Sequence, residues 1–203
     1  MKILSLFDGM NGVSFHRLYT PLARLQVDYG IQVDVSQKAK EWADLEFEKY
    51  DVVVFNRWLG GLQYNILPIL AKKKIPFVVD VDDYWVVPKY NPAHKFYRAY
   101  IKNAVKDAMY YADAVMTTTP QLAGQVKEYN ENVHIIPNAL DLNQSQWKAE
   151  KEHPFTLGWV GGLSHVEDLK LLSEQIAPIC EKYNARFLMC GYHNGAEEWI
   201  AME

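Results

Sequence analysis

Three groups of residues in this chain have types and spacings that chemistry could use. The first is Gly161, Gly162, Ser164 and His165, which follow the apolar, β-prone run from Phe155 to Val160. Glycines after a strand let a ligand approach the backbone, and a helix starting just beyond offers free N–H groups and the positive end of its dipole. Ser164 with Glu167 three residues later has the spacing of a capping box, which places that helix start. Strand, glycine turn and helix together suit a phosphate group. His165 adds a donor, and a charge when protonated, for the oxygens of a leaving group. The plain alternative is a capped helix with a surface histidine.

The second group is Asp80, Asp82 and Asp83, followed by Tyr84 and Trp85. Its D-x-D spacing suits a hard cation such as Mg²⁺ or Mn²⁺. A different use puts Asp82 or Asp83 at a cleft mouth, bonded to sugar hydroxyls, with Trp85 stacked on the sugar ring. A structural reading has the aspartates capping turns and Trp85 packed under Pro88. The third group, Gly9-Met10-Asn11-Gly12, follows the first β run. It is either a simple strand-to-helix turn or a loop whose N–H groups face a ligand at the carboxyl end of a parallel strand. Arg57 and Trp58 follow the third β run, where a cleft residue would sit, but the reading favoured is an ordinary loop. His94 reads as a surface residue rather than a base. Phe96, Tyr97, Tyr100, Tyr110 and Tyr111 read mostly as helical core.

The elements that must carry these groups alternate. Strands are expected at 2–7, 31–35, 51–55, 76–81, 112–116 and 133–136. Helices are expected at 14–28, 38–48, 61–73, 93–110 and 120–129, with Pro68 an irregular point in the third. Apolar strands separated by helices predict a parallel sheet covered on both faces. Residues 141–154 are polar and aperiodic and read as a linker. A strand at 155–160, a helix at 165–182 and a strand at 186–190 then restart the alternation. The fold class is thus α/β: a Rossmann-like parallel sheet over 1–140, a linker at 141–154, and the start of a second Rossmann-like domain over 155–203.

Composition narrows the function classes. The chain has 203 residues, 49% of them hydrophobic, and a formal net charge of −4. That balance argues against a non-specific nucleic-acid binder, which carries a basic surface. There is no apolar run long enough for a membrane span, and the apolar stretch before Asp8 is too short for a signal peptide. The two cysteines, Cys180 and Cys190, form no disulfide framework and sit in no metal-binding spacing. A cytoplasmic chain, with room for peripheral membrane contact, is the expectation.

Four segments, in order, resemble the GT-B glycosyltransferases, in particular the retaining group that includes bacterial and phage polysaccharide enzymes. Residues Gly12 to Leu18, with Pro21 and Leu25, resemble their glycine loop and first helix. Ala112 to Thr119 resembles their AD-x-V-x-T strand, and Ile135 to Asp141 their I-P-N-G-V-D hinge, with Ala139 in place of the glycine. Residues Gly158 to Gly162 resemble the first strand and turn of their nucleotide-binding domain. The resemblance implies transfer of a sugar from a nucleoside-diphosphate sugar to an acceptor, without a metal and without a further cofactor. It implies donor contacts from Asn11, Gly12, Gly161, Gly162, Ser164 and His165, with Asp82 and Asp83 on the catalytic or acceptor side. The acceptor class (glycan, lipid-linked glycan or other) is left open. That family's second domain also carries a Glu-x7-Glu motif, and no two glutamates here have that spacing. The basic residue that clamps the diphosphate has no match either. The expectation is an incomplete second domain, finished by further chain or by a partner. The alternative is a non-catalytic Rossmann-like binding or assembly module.

A second likeness is set aside. Ile3 to Gly9 and Gly30 to Asp34 resemble the cofactor strands of DNA cytosine methyltransferases. The Pro-Cys nucleophile of that family has no counterpart between Asp80 and Pro88, so its thiolate chemistry is unsupported.

Overall fold

Six short apolar runs pair side by side, all parallel, in the order β2-β1-β3-β4-β5-β6. They are β1 (Lys2–Leu6), β2 (Gln32–Ser36), β3 (Val52–Asn56), β4 (Phe77–Val81), β5 (Ala114–Thr117) and β6 (Val133–Ile135). These lie close to the expected bounds, and the α/β class follows. The computed structural model describes residues 1–7, 11–37, 42, 44–91, 93–143, 154–162 and 165–191. Among them, no helix is long and apolar enough to cross a membrane.

Strand alternation sorts the core into two layers. Leu4, Leu6, Val53, Phe55, Phe77, Val79, Val81 and Val115 point to one face. There they meet α2 (Gln63–Lys73) and α4 (Lys102–Tyr111) through Ile66, Leu70, Val105 and Met109. Ile3, Phe7 and Val54 point to the other face, where Leu18 and Leu22 of the first helix cover them. Ser5 has the same parity as Ile3. Its hydroxyl is the buried side-chain polar atom that finds no hydrogen-bond partner among the described residues. Ser5→Ala is therefore expected to raise stability, by about 1 kcal/mol, because the desolvation cost of the hydroxyl disappears. Urea denaturation of both proteins checks this; an unchanged or lowered midpoint refutes it.

The first helix is capped and then distorted. Asn11 accepts at Oδ1 from the Ser14 N–H at 2.9 Å, and its carbonyl accepts from the Phe15 N–H at 2.9 Å. Asn11 is thus the N-cap, satisfying a donor that would otherwise be free. Ser14–Tyr19 is wound as a π-helix before α1 (Thr20–Tyr29) continues. Gly30 ends it at φ 65°, a left-handed conformation that suits glycine.

Two expectations are corrected. Of the helix expected over 38–48, residues 38–41 and 43 lie outside the described residues. The described remainder is 3₁₀ rather than α-helical, at Trp42 and Asp44 and again at Phe47–Lys49, the second turn preceded by Glu46 at ψ 75°. Trp42 and Phe47 are both fully buried. Five residues apart, they would point well away from each other on an α-helix, so a tighter, broken path is needed to bury both. The aromatics of the fourth helical region are not core either. There α3 (His94–Phe96), a π-helical segment (Tyr97–Ile101) and α4 follow one another. Phe96, Tyr100, Tyr110 and Tyr111 are exposed. Ile101, Ala104, Val105, Ala108 and Met109, at helical spacing, take the buried face instead.

The chain divides into two compact units: Met1–Val87 with Phe96–Leu140, and Pro88–Lys95 with Asp141–Glu203. Within the second, β7 (Thr156–Val160) and β8 (Arg186–Cys190) pair in parallel, joined by α6 (Val166–Tyr183). Residues 144–153, in the expected linker, lie outside the described residues.

Candidate functional site

The sheet order reverses at β1, with β2 on one side and β3 on the other. In parallel α/β sheets, ligands bind at the carboxyl ends of the strands around such a switch point. The polar residues of the first unit gather there. Asn56 ends β3 in register with Asp80 near the end of β4. Asp80 shares the parity of Val78, which faces the layer covered by the first helix, and a buried charge there needs a partner.

Arg17 supplies it. Its Nη2 donates to Asp80 Oδ1 at 2.6 Å, and its Nε sits 3.2 Å from both carboxylate oxygens. The side chains are 6% and 0% exposed. Arg17 Nη1 donates to the Ile136 carbonyl at 2.7 Å and to Asn138 Oδ1 at 3.3 Å. One guanidinium thus ties the first helix, the end of β4 and the segment after β6 together. Burial pushes the Asp80 carboxyl above the usual aspartate range, although Arg17 and Asn56 both pull it down.

A second clamp lies beside the first. Arg57 adopts φ 52°, uncommon for a residue with a side chain, and its N–H donates to the Asp80 carbonyl at 2.8 Å. From there its guanidinium forks onto Asp82, Nε to Oδ1 at 2.7 Å and Nη2 to Oδ2 at 3.0 Å. It also reaches the Tyr97 hydroxyl at 3.1 Å and Asp83 Oδ2 at 3.3 Å. Asn56 Nδ2 bridges Asp80 Oδ2 at 2.8 Å and Asp82 Oδ1 at 3.1 Å. Burial raises the Asp82 carboxyl, but Arg57 and Asn56 more than offset it and hold it below the usual aspartate range. Thr117 and Thr118 donate to the Val81 and Asp82 carbonyls at 2.8 and 3.2 Å, which fixes the turn after β4.

The two catalytic-side candidates therefore differ. Asp82 is 13% exposed and fully engaged, a poor proton acceptor but a well-held scaffold. Asp83 is 76% exposed and keeps most of its carboxylate for a ligand. With Asp80 and Asp82 both spent on arginines, the D-x-D segment offers no open set of oxygens. Among the described residues, no group of three or more His, Cys, Asp or Glu could hold a metal ion. Trp85 is 3% exposed, packed edge-on against Tyr129 at 5.7 Å, so its ring cannot stack on a sugar. Tyr84, in contact with Trp85 at 5.0 Å, is the exposed ring. An open pocket of about 560 Å³ lies here, lined by Asp82, Asp83 and Tyr84, by Thr118 and Thr119 of the turn after β5, and by Gln121, Leu122 and Gln125 of α5 (Pro120–Val126).

Of the first glycine loop, Asp8, Gly9 and Met10 lie outside the described residues. Asn11 spends its side-chain oxygen on the helix cap, while Gly12 is exposed with open space where a Cβ would stand.

In the second unit, β7 runs into Gly161 and Gly162, and these two glycines differ. A Cβ at Gly161 would stand 2.4 Å from the Trp159 ring, whereas a Cβ at Gly162 would meet nothing within 4 Å. Gly161 serves local packing, and Gly162 is the open position. Ser164 lies outside the described residues, and His165 occupies the position just before α6, its Nδ1 2.8 Å from Asp168 Oδ2. Its Nε2 keeps no partner among the described residues.

The sequence reading gave no role to Arg17, Asn56, Gln121 or Gln125, and it favoured an ordinary loop over a cleft position for Arg57, which the structure places among the acidic residues. Arg17 and Asp80 carried a signal nonetheless: each is a lone charge inside an apolar pattern, and two such charges in one sheet domain predict each other.

In a parallel α/β sheet, polar groups gathered at the carboxyl ends of the strands mark the edge where a ligand binds. Residues 7–144 match glycosyltransferase family 4, and the chain belongs to that family. No curated protein matches the chain. Among solved structures, MurG of Acinetobacter baumannii aligns with a TM-score of 0.48 at 12% identity, over 99% of this chain and 61% of that one.

Proposed function

We propose that this chain carries the acceptor-side domain and the beginning of the donor-side domain of a retaining, metal-independent GT-B glycosyltransferase. It would move a sugar from a nucleoside-diphosphate sugar to an acceptor. The observation that carries the reading is the pocket at the carboxyl ends of β4 and β5, in a chain of glycosyltransferase family 4. Asp83 binds an acceptor hydroxyl, and Asp82, clamped by Arg57, holds the turn that presents it. Gly162 admits the donor diphosphate to the backbone, with Gly161, Ser164 and His165 as the further donor contacts proposed for the second unit; Asn11 and Gly12 are the donor contacts proposed for the first. The filled oxygens of Asp80 and Asp82 support metal independence.

Calorimetric titration with a nucleoside diphosphate tests the donor seat. Gly162→Val leaves the fold intact, because its Cβ has room, and is expected to remove binding by blocking backbone approach. His165→Ala is expected to weaken binding by about 1–3 kcal/mol through loss of a charge-assisted bond to phosphate. EDTA is expected to change nothing. Affinity that is equal in wild type and both variants removes this turn from the site, and a large loss on chelation ends the metal-independent reading.

A further inference from the structure

The pocket beside Asp83 has a distinct chemical character. Gln121 and Gln125 sit four residues apart on α5, hence on one helical face, and both line the pocket. Their carboxamides hydrogen-bond to nothing among the described residues, and each can donate and accept at once. Thr118 donates its hydroxyl proton to the Asp82 carbonyl and keeps only acceptor capacity, while Thr119 accepts from the Leu122 N–H that it caps and keeps its O–H to donate. The principal groups available to a ligand are one carboxylate, two carboxamides and the exposed ring of Tyr84, with the two hydroxyls adding one acceptor and one donor.

Charge is the deciding feature. Among the described residues, the lining contains two carboxylates and no cation. Arg57, bonded to that lining, is spent on Asp82, Asp83 and Tyr97. Arg17 is buried against Asp80. An anionic group entering here would meet two carboxylates balanced by a single guanidinium that is already bonded to both.

The geometry points to a neutral, polyhydroxylated acceptor, the end of an uncharged sugar, with Gln121, Gln125 and Tyr84 as its specificity determinants. The inference rests on the glycosyltransferase reading and sharpens it by naming the acceptor class. Asp83 accepts one hydroxyl proton. The two carboxamides read the direction of neighbouring hydroxyls, since each offers a donor and an acceptor at helical spacing. Tyr84 covers the apolar C–H face of the ring. Acceptors whose recognised end carries a phosphate, a sulfate or a uronate are excluded by the same charge balance.

Saturation-transfer NMR on the whole chain, without donor, tests this. The probes are methyl glycosides of neutral hexoses and N-acetylhexosamines, set against hexose 6-phosphates and methyl glucuronide. At least one neutral glycoside is expected to bind with a Kd on the order of millimolar, and the anionic probes about 10-fold more weakly. The Gln121→Ala/Gln125→Ala double variant, on an exposed helix face, is expected to melt like wild type and lose about 10-fold of the neutral binding. Gln125→Lys is expected to narrow or reverse the preference against anions. Silence from every neutral glycoside, anions bound as well as neutral probes, or an unaffected double variant each overturn the inference. Neutral glycosides bound here by a chain that takes no nucleoside diphosphate would support the pocket and sink the donor seat proposed at Gly162. Nucleotide binding with a silent pocket would sink the inference alone.

Discussion

Arg17→Met is expected to cost about 3–5 kcal/mol of folding stability, the range for removing one partner of a buried ion pair. The methionine fills part of the space, so packing loss is a minor share. The main cost is Asp80, left 0% exposed without its guanidinium, together with the Ile136 carbonyl and Asn138, which lose their donor. A double variant, Arg17→Met with Asp80→Leu, removes both charges and is expected to recover much of the loss. The pH dependence identifies the cause. Burial already raises the Asp80 carboxyl in the folded protein, and without Arg17 it rises further. A group whose folded pKa exceeds its unfolded value stabilises the fold below the unfolded value, and that contribution is lost as pH rises through the folded value. The gap between wild type and variant should therefore be smallest near about pH 4 and widen toward neutrality. Urea denaturation across that range measures it. A gap under about 1 kcal/mol, or one that narrows as pH rises, contradicts the account.

Gly191→Ala is expected to be the most damaging single-methyl change in the second unit. Gly191 sits at φ 100°, where side chains are strained, and its Cβ would stand 2.0 Å from the Gly161 carbonyl oxygen. Strain and overpacking each cost about 1–3 kcal/mol, and the obstacle is backbone, which cannot rotate aside. The part that must yield is the turn after β7, whose Gly161 N–H now donates to the Cys190 carbonyl at 3.0 Å. Amide exchange at Gly161 should accelerate, and nucleoside-diphosphate binding should fall with it. Gly162→Ala, which meets nothing within 4 Å, is the matched control for exchange. Equal exchange at Gly161 in the two variants would show that the approach of Gly191 does not shape the turn.

Much of the fold was legible because buried parallel strands announce themselves as unbroken apolar runs. Val52 to Phe55 is such a run, and Phe77 to Val81 is one but for Asp80; both strands fell where expected. The helices were read less well where periodicity was not what decided them. The stretch 38–48 reads as one amphipathic helix, but burying both Trp42 and Phe47, five residues apart, requires a break at Glu46. The aromatics from Phe96 to Tyr111 outweighed, by size, the small residues Ala104 and Ala108 that make the actual helix contact. The candidate site was located by its acidic strand end, since Asp80, Asp82 and Asp83 mark the carboxyl edge. Their different fates were not visible, because they depend on Arg17 and Arg57. Those arginines arrive from 63 and 25 residues away in sequence, and single-chain spacing says nothing about such meetings. Trp85 shows the same gap from the other side: the exposed ring turned out to be its neighbour, Tyr84.

The reach of Arg17 also sets an order of events during synthesis. Its partners lie 63 residues downstream at Asp80 and 119 downstream at Ile136. As the chain emerges from the ribosome, the first helix can form and cover β1 early, since helices are local. Its arginine, however, has no counter-charge until β4 has joined the sheet, and no carbonyl to hold until β6 has closed the far edge. Until then a guanidinium destined for the interior must stay in water, which keeps the first helix loosely docked. The nascent chain therefore reaches its final rigidity in one late step, when the edge strand arrives. Ribosome-bound chains whose emerged part ends before residue 130 should leave the first helix open to protease, and those whose emerged part extends past residue 140 should protect it.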